Sequence, residues 1–282
     1  MPFLYSFPRY LSAKKTVDDR ALNAHVWETL HQQMPEQPRI LEIGAGIGTM
    51  VERLVEQRFI SSASYTAIDS QVENIHTAQQ RLAHLPESIN LTLEAIDLFD
   101  FIQREHTKQQ WDVLIAHAFL DLMDIPATLP PLFSLLKPGG LFYFSINFDG
   151  VTTLEPAIDP ALDAQIEQLY HQTMDERVTE GQPSGDSRSG RHLFAHLREA
   201  GAQILAAGSS DWVVFAGEEG YPADEKYFLQ FIMETMHRAL AKNPALDEGL
   251  FSDWVAKRKA QIETGELVYI AHQLDFVGHA PD

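Results

Sequence analysis

A chain of 282 residues with 45% hydrophobic side chains can bury a full core as one large domain, with or without insertions. Its 40 acidic and 21 basic side chains leave a formal net charge of −19, which argues against nucleic acid or an anionic membrane surface as partner and favours a small neutral or cationic substrate. No cysteine is present, which excludes a disulfide scaffold, a thiolate nucleophile and thiolate-bound zinc, and fits a reducing compartment.

The N-terminal stretch MPFLYSFPRYLSAKK carries its positive charges after its apolar residues and has no signal-peptide core. No run approaches the roughly 18 apolar residues of a membrane span, so a cytoplasmic protein is expected. Residues 16–34 read as a helix, with Thr16 as cap, Asp18 and Asp19 in the positive first turn, and Leu22, Val26, Trp27 and Leu30 on one face. Strands and helices then alternate: RILEI, a helix from Gly48 to Phe59, SYTAID, the helix VENIHTAQQRLAHL stopping at Pro86, INLTLEA, the short helix LFDFIQREH, WDVLIAH, the helix PATLPPLFSLL, and a KPGG turn into LFYFSINF. Such alternation predicts parallel strands with right-handed crossovers, an α/β doubly wound sheet.

After Asn147 the pattern loosens. A helix is expected over ALDAQIEQLYHQTMDERV, an exposed loop over GQPSGDSRSGR, and a capped helix over SGRHLFAHLREAG ending at Gly201. AQILAAGSSDWVVFA reads as a strand broken near Gly208–Ser209, residues 222–262 as two helices, and ELVYIAHQLDFVG as the last strand. The reading is a single domain, 1–282: an N-terminal arm and helix (1–36), a core (37–150), and insertions at 151–190 and 218–264.

The chemistry concentrates in ILEIGAGIGTM. A strand that runs into a glycine-rich turn and then a helix lets backbone approach a ligand closely and offers free N–H groups at the helix start. A triphosphate loop is ruled out because no Gly-Lys-Ser/Thr follows, and the spacing G-x-G-x-G departs from the dinucleotide pattern G-x-G-x-x-G.

EIGAGIG resembles motif I of the class I S-adenosylmethionine-dependent methyltransferases. The resemblance covers about residues 37–147, with weaker support at 190–217 and 265–277. It implies a mostly parallel seven-stranded sheet with an antiparallel last strand, here ELVYIAHQLDFVG, and adenosylmethionine as cofactor, with adenosylhomocysteine as its product. It implies that Gly44, Ala45, Gly46 and Gly48 pack against the methionine and ribose portions and that Glu42 acts on the ammonium group through water. Asp69 would accept from the ribose hydroxyls, as the acid of dinucleotide folds does. Ser70 would line the ribose or adenine edge, Asp97 would meet the adenine amino group, and Leu98 would offer its N–H to the ring. WDVLIAHAFLDLMD resembles the motif that places His117 near the transferred methyl, as pocket wall or general base. In the same family an N-terminal segment often closes over the cofactor, which makes Tyr10 a candidate contact and gives Arg9 or Arg20 a carboxylate to pair with.

Other candidates rest on residue chemistry. Asp121 could bind a substrate ammonium or take a proton; Asp124 reads as a helix N-terminal acid. Arg188 and Arg191 carry guanidinium forks suited to an anionic substrate group, or pair locally. Trp212 could offer a cation–π face to substrate. His192 and His196 have helical spacing, but with Leu193 in place of the glutamate of HExxH and no third ligand evident, no metal is expected. The expected function is methyl transfer to a small-molecule O or N acceptor, without nucleic acid or membrane as partner, and with monomer or homodimer left open. The alternatives are a non-catalytic adenosylmethionine-binding protein and an NAD-dependent oxidoreductase.

Overall fold

The computed structural model describes residues 5–106, 108, 110–179 and 181–282; the first four residues of the N-terminal arm, and positions 107, 109 and 180, lie outside the described residues. In chain order the elements are α1 (Phe7–Ala21), α2 (Ala24–Gln33), β1 (Arg39–Ile43), α3 (Thr49–Glu56), β2 (Ala63–Asp69), α4 (Val72–Arg81), β3 (Ile89–Ala95), α5 (Leu98–Glu105), β4 (Trp111–His117), a 3-10 turn (Leu120–Leu122), α6 (Ile125–Phe133) and β5 (Leu136–Glu155). They continue with α7 (Pro160–Asp175), a two-strand hairpin of β6 (Val178–Thr179) and β7 (Gln182–Pro183), α8 (Ser189–Glu199), β8 (Gln203–Ser209), β9 (Trp212–Val214), α9 (Glu225–Leu240), α10 (Glu248–Thr264) and β10 (Val268–His279).

The main sheet runs β3-β2-β1-β4-β5-β10, and β8 and β9 share the outer edge of β10. The first five strands are parallel and β10 is antiparallel to its neighbours. Eight segments thus fill the seven expected positions, because the sixth is broken at Ser210–Asp211, close to the predicted break.

Helices cover both faces, so the inner strands are mostly apolar and do not alternate. Leu41, Ile43, Leu114, Ala116, Phe142 and Phe144 pack under α5, α6 and α8. Ile40, Tyr65, Val113, Ile115 and Tyr143 pack under α2, α3 and α4. A third apolar cluster joins α1, α7, α9 and α10 to β9 and the far ends of β5 and β10. Fully burying one such side chain contributes about 1.5–3 kcal/mol.

Three segments differ from expectation. The helix read over 16–34 is two helices. Ser6 accepts from the Arg9 N–H and caps α1, Pro8 sits in its first turn where no backbone donor is needed, and Asn23 caps α2 through the His25 and Val26 N–H groups. Thr16 lies within α1 and its hydroxyl donates to Glu225 instead of capping. KPGG is an irregularity inside β5, with Gly139 at φ +65°, and the strand continues through 151–155 because β10 pairs with it as far as Glu155. The segment read as an exposed loop folds down at Ser184, Ser187 and Ser189, which are buried and hydrogen-bonded to Thr179, Asp175 and the Phe148 carbonyl.

Candidate active site

A cleft of about 510 Å³ opens at the carboxyl ends of β1, β2 and β4, where the strand order reverses on either side of β1. The glycine loop forms its floor. Gly44, Gly46 and Gly48 have φ of +62°, +54° and +79°, which only glycine adopts without strain. A Cβ at Gly44 would collide with the ring of Phe119, so that aromatic approach also requires glycine. The Ala45 N–H donates to the Ile68 carbonyl at 2.9 Å and the Gly46 N–H to Asp69 Oδ2 at 2.9 Å, which tie the loop to the end of β2.

Asp69 is thereby also a structural acceptor. Its Oδ1 takes the Gln71 N–H at 2.8 Å and Asn74 Nδ2 at 3.1 Å. A carboxylate offers about four lone-pair sites, so three internal bonds leave one for a ligand. Ser70 follows on the cleft wall. Asp97 caps α5, with Oδ1 accepting from the Phe99 N–H at 2.7 Å, and Leu98 begins that helix; both line the cleft. Glu42 ends the β1 wall and is fully buried. Tyr65 donates its hydroxyl to Glu42 Oε2 at 2.7 Å, yet burial outweighs that bond and the nearby Arg53 and pushes the carboxyl up to about 8.

His117, at the end of β4, meets α1. Its Nε2 lies 3.0 Å from Asp18 Oδ2 and its Nδ1 2.9 Å from Ser145 Oγ. Asp18 also holds Lys14 Nζ at 3.0 Å and accepts at Oδ1 from Trp212 Nε1 at 2.8 Å. Burial works against its charge, but Lys14, His117 and Arg53 outweigh it and hold the carboxyl below its ordinary range. Burial conversely pushes His117 down to about 4, against the pull of Asp18. A charged Asp18 only accepts, which puts the imidazole proton on Nε2 and leaves Nδ1 to accept from the Ser145 hydroxyl.

Around this cleft the structure gathers Glu42, Gly44, Ala45, Gly46, Asp69, Ser70, Asp97, Leu98 and His117. Gly48 starts α3 and packs on Leu82. Asp121 sits on the 3-10 turn beside the lining residues Leu122 and Met123. Tyr10 is not among the lining residues; its ring stacks on Phe231 at 4.1 Å and anchors α1 to α9. Arg9 and Arg20 pair with Asp224 and Glu225 at the start of α9. Arg191 pairs with Asp149 at 2.8 Å, and Arg188 lies against Gly150; neither reaches the cleft. Trp212 holds Asp18, and the cation over its ring, at 5.3 Å, is Lys14. His192 meets Asp186, and no group of three His, Asp or Glu able to hold a metal ion occurs among the described residues.

Sequence reasoning missed Phe7, Leu11, Lys14 and Asp18, the face that α1 turns to the cleft. Their spacing of four, three and four residues is a helical stripe that was readable in FPRYLSAKKTVD once Pro8 is placed in a first turn. Among the described residues, Lys14 is the one Lys or Arg that lines the cleft.

The arrangement fits an adenosyl amino acid. Asp69 keeps an acceptor site for a diol, and Lys14 keeps two N–H donors for a carboxylate. Residues 41–142 match a family model described as a methyltransferase domain. The chain is 29% identical over 136 residues to malonyl-[acyl-carrier protein] O-methyltransferase of Paenibacillus sp. (strain JDR-2), covering 48% of this chain and 45% of that protein. It is 32% identical over 117 residues to the hybrid PKS-NRPS synthetase gkaA of Penicillium citrinum, covering 40% of this chain and 3% of that protein. The chain therefore spans less than half the length of either curated relative. Among solved structures, YjhP from E. coli aligns over 96% of this chain and 98% of its own, at 16% identity and a TM-score of 0.49. Residues 41–142, which hold the glycine loop and the first strands of the sheet, therefore match a methyltransferase domain.

Proposed function

We propose that the chain transfers the methyl group of S-adenosylmethionine to an oxygen or nitrogen atom of a small molecule. The observation that carries this reading is one cleft lined by Lys14, Glu42, Asp69 and Asp97 around a glycine-rich loop, with His117 at its inner end. The cofactor, when bound, supplies a methyl carbon activated by a sulfonium.

The chain's own residues then bind, orient and desolvate. Lys14 holds the carboxylate end, Glu42 faces the ammonium end, Asp69 takes the ribose hydroxyls and Asp97 the adenine edge. Phe119, Leu122 and Met123 exclude water from the remaining wall, which raises the weight of every electrostatic contact inside. His117 is a fixed neutral wall rather than a ready base, because its one lone pair is engaged by Ser145. The proton of a protonated acceptor falls instead to Asp121. Burial raises the pKa of that carboxyl more than Arg177 and Lys14 lower it.

Calorimetry with adenosylmethionine, adenosylhomocysteine and NAD tests the reading. Both adenosyl compounds should bind, and NAD should not. Binding of NAD alone would overturn it. Retention of adenosylmethionine, with no methyl transferred from a labelled donor to any member of a broad metabolite panel, would instead favour a binding protein.

A further inference from the structure

The face of α1 opposite the cleft is gripped by the start of α9. Phe7, Lys14 and Asp18 line the cleft, and Arg9, Thr16 and Arg20 each follow one of them by two positions. On a helix of 3.6 residues per turn, two positions are about 200° of rotation, so the second set points away from the cleft. It meets two successive acids. Arg9 Nε and Nη2 donate to Asp224, each at 2.9 Å. Arg20 Nη1 and Nη2 donate to Glu225 Oε1 and Oε2 at 2.6 and 2.8 Å, and the Thr16 hydroxyl donates to Oε1 at 2.7 Å. Beside them the Tyr10 ring stacks on Phe231, and the Tyr227 hydroxyl accepts from the Ser6 N–H at 2.7 Å.

The two acids do not weigh equally. Arg9 and Asp224 are both about half exposed, and such a pair contributes little. Glu225 is fully buried, and both of its oxygens are taken up by α1. A carboxylate removed from water is retained only where partners of fixed geometry hold it. The backbone is committed to the same contact: Ala223, immediately before the acids, has φ +46°, a left-handed conformation that costs a non-glycine residue and persists only where its surroundings impose it. No described residue of α9 lines the cleft, so α9 reaches it through α1.

We propose that Glu225 is a positioning residue for the cofactor carboxylate, acting through α1 on Lys14. The assignment rests on the methyl-transfer reading above, which supplies that carboxylate. From the core side α1 is held by Asp18 on His117 and by Asp19 on Arg53. A helix held from one side still rolls about its axis. Glu225 grips it from the other side through Thr16 and Arg20, and so fixes the rotation that aims Lys14. The aim matters because a charge-assisted bond spans about 2.8 Å, and a displacement of about 1 Å takes it out of hydrogen-bond range.

Calorimetric titration of the full chain with adenosylhomocysteine and with methylthioadenosine, which lacks the carboxylate, tests the assignment in the wild type, Glu225→Gln, Lys14→Gln and the double variant. Glu225→Gln keeps the shape of the buried side chain. It should weaken adenosylhomocysteine by about three- to ten-fold and methylthioadenosine by less than about two-fold. In the Lys14→Gln background the same change should cost adenosylhomocysteine nothing more, because the two residues act in series. Arg20→Lys keeps a cation on the buried carboxylate and gives up only the two-pronged geometry, which guards against a variant that does not fold. It should weaken adenosylhomocysteine by at least about two-fold, with the same preference over methylthioadenosine. Unchanged adenosylhomocysteine affinity in Glu225→Gln and Arg20→Lys, even with a lowered unfolding midpoint, would reduce Glu225 to a structural role and overturn the assignment. Equal weakening of both ligands, or a Glu225→Gln loss that persists in full beside Lys14→Gln, would overturn it as well. Failure of the wild type to bind adenosylhomocysteine would overturn the methyl-transfer reading, and the assignment with it.

Discussion

Asp18 on α1 and His117 at the end of β4 hold one another at 3.0 Å although 99 residues separate them in sequence. The contact closes α1 over the inner end of the cleft, and Lys14 and Trp212 complete it from either side. It makes stability depend on pH in a definite sense. His117 stays neutral in the folded chain down to about 4, whereas an unfolded histidine takes its proton near 6.5. Acidification through that window protonates the unfolded chain first, so stability falls. Asp18, held below its ordinary range, adds stability above 3.8 that is lost as pH falls further. Denaturant midpoints should therefore decline from pH 6.5 to 4 by the equivalent of about 3 kcal/mol at most from His117. His117→Gln should flatten that decline. An unchanged slope in the variant would mean that the histidine is protonated alike in both states.

Lys14 offers a sharper test of ligand orientation than any lining carboxylate. Lys14→Gln should weaken adenosylhomocysteine by roughly ten-fold or more, the scale of losing one charge-assisted bond of about 1.5–3 kcal/mol. Methylthioadenosine has no carboxylate, and its affinity should barely change. If both ligands weaken together, Lys14 acts by supporting Asp18 and not by touching the cofactor.

Glu42 predicts a proton released on binding. With its carboxyl pushed up to about 8 by burial, it is largely protonated at neutral pH. A ligand ammonium beside it favours the carboxylate. Adenosylhomocysteine should therefore bind more tightly as pH rises from about 6 to 8, and its binding enthalpy at pH 7 should change with the ionisation enthalpy of the buffer. The unliganded chain shows the complementary effect: a raised carboxyl pKa removes stability as pH climbs from 4.5 to about 8. Glu42→Gln should abolish both dependences. Buffer-independent enthalpies in the wild type would place the ligand ammonium elsewhere.

The sheet was legible in sequence because a strand covered on both faces must be mostly apolar without alternating, as RILEI, WDVLIAH and LFYFSINF are. The loop and the acids Asp69 and Asp97 were legible because each stands at a strand end, where local order decides position. What was not legible came from distant partners. Arg9 and Arg20 find Asp224 and Glu225 on α9, more than 200 residues away, and nothing near them in sequence announces it. Trp212 reaches Asp18 across 194 residues. The α1 face was missed because the helix was started at Thr16, whereas it begins at Phe7, with Pro8 at home in its first turn.

The glycine loop yields a prediction that separates backbone from packing. Gly44 and Gly46 have nearly the same left-handed backbone, so alanine costs each about 1–2 kcal/mol on that account. Their surroundings differ. A Cβ at Gly44 enters the Phe119 ring, whereas at Gly46 the nearest atom is Leu11 Cδ1 at 3.0 Å, the end of a flexible side chain. Gly44→Ala should therefore destabilise the chain more than Gly46→Ala in denaturant unfolding. Phe119→Ala in the Gly44→Ala background should return the excess, giving a coupling of at least about 1 kcal/mol in the double-mutant cycle. It should leave the backbone share of the loss in place. Equal losses at the two glycines, or additive effects at Gly44 and Phe119, would mean that the ring swings aside freely and that the loop needs Gly44 for its backbone alone.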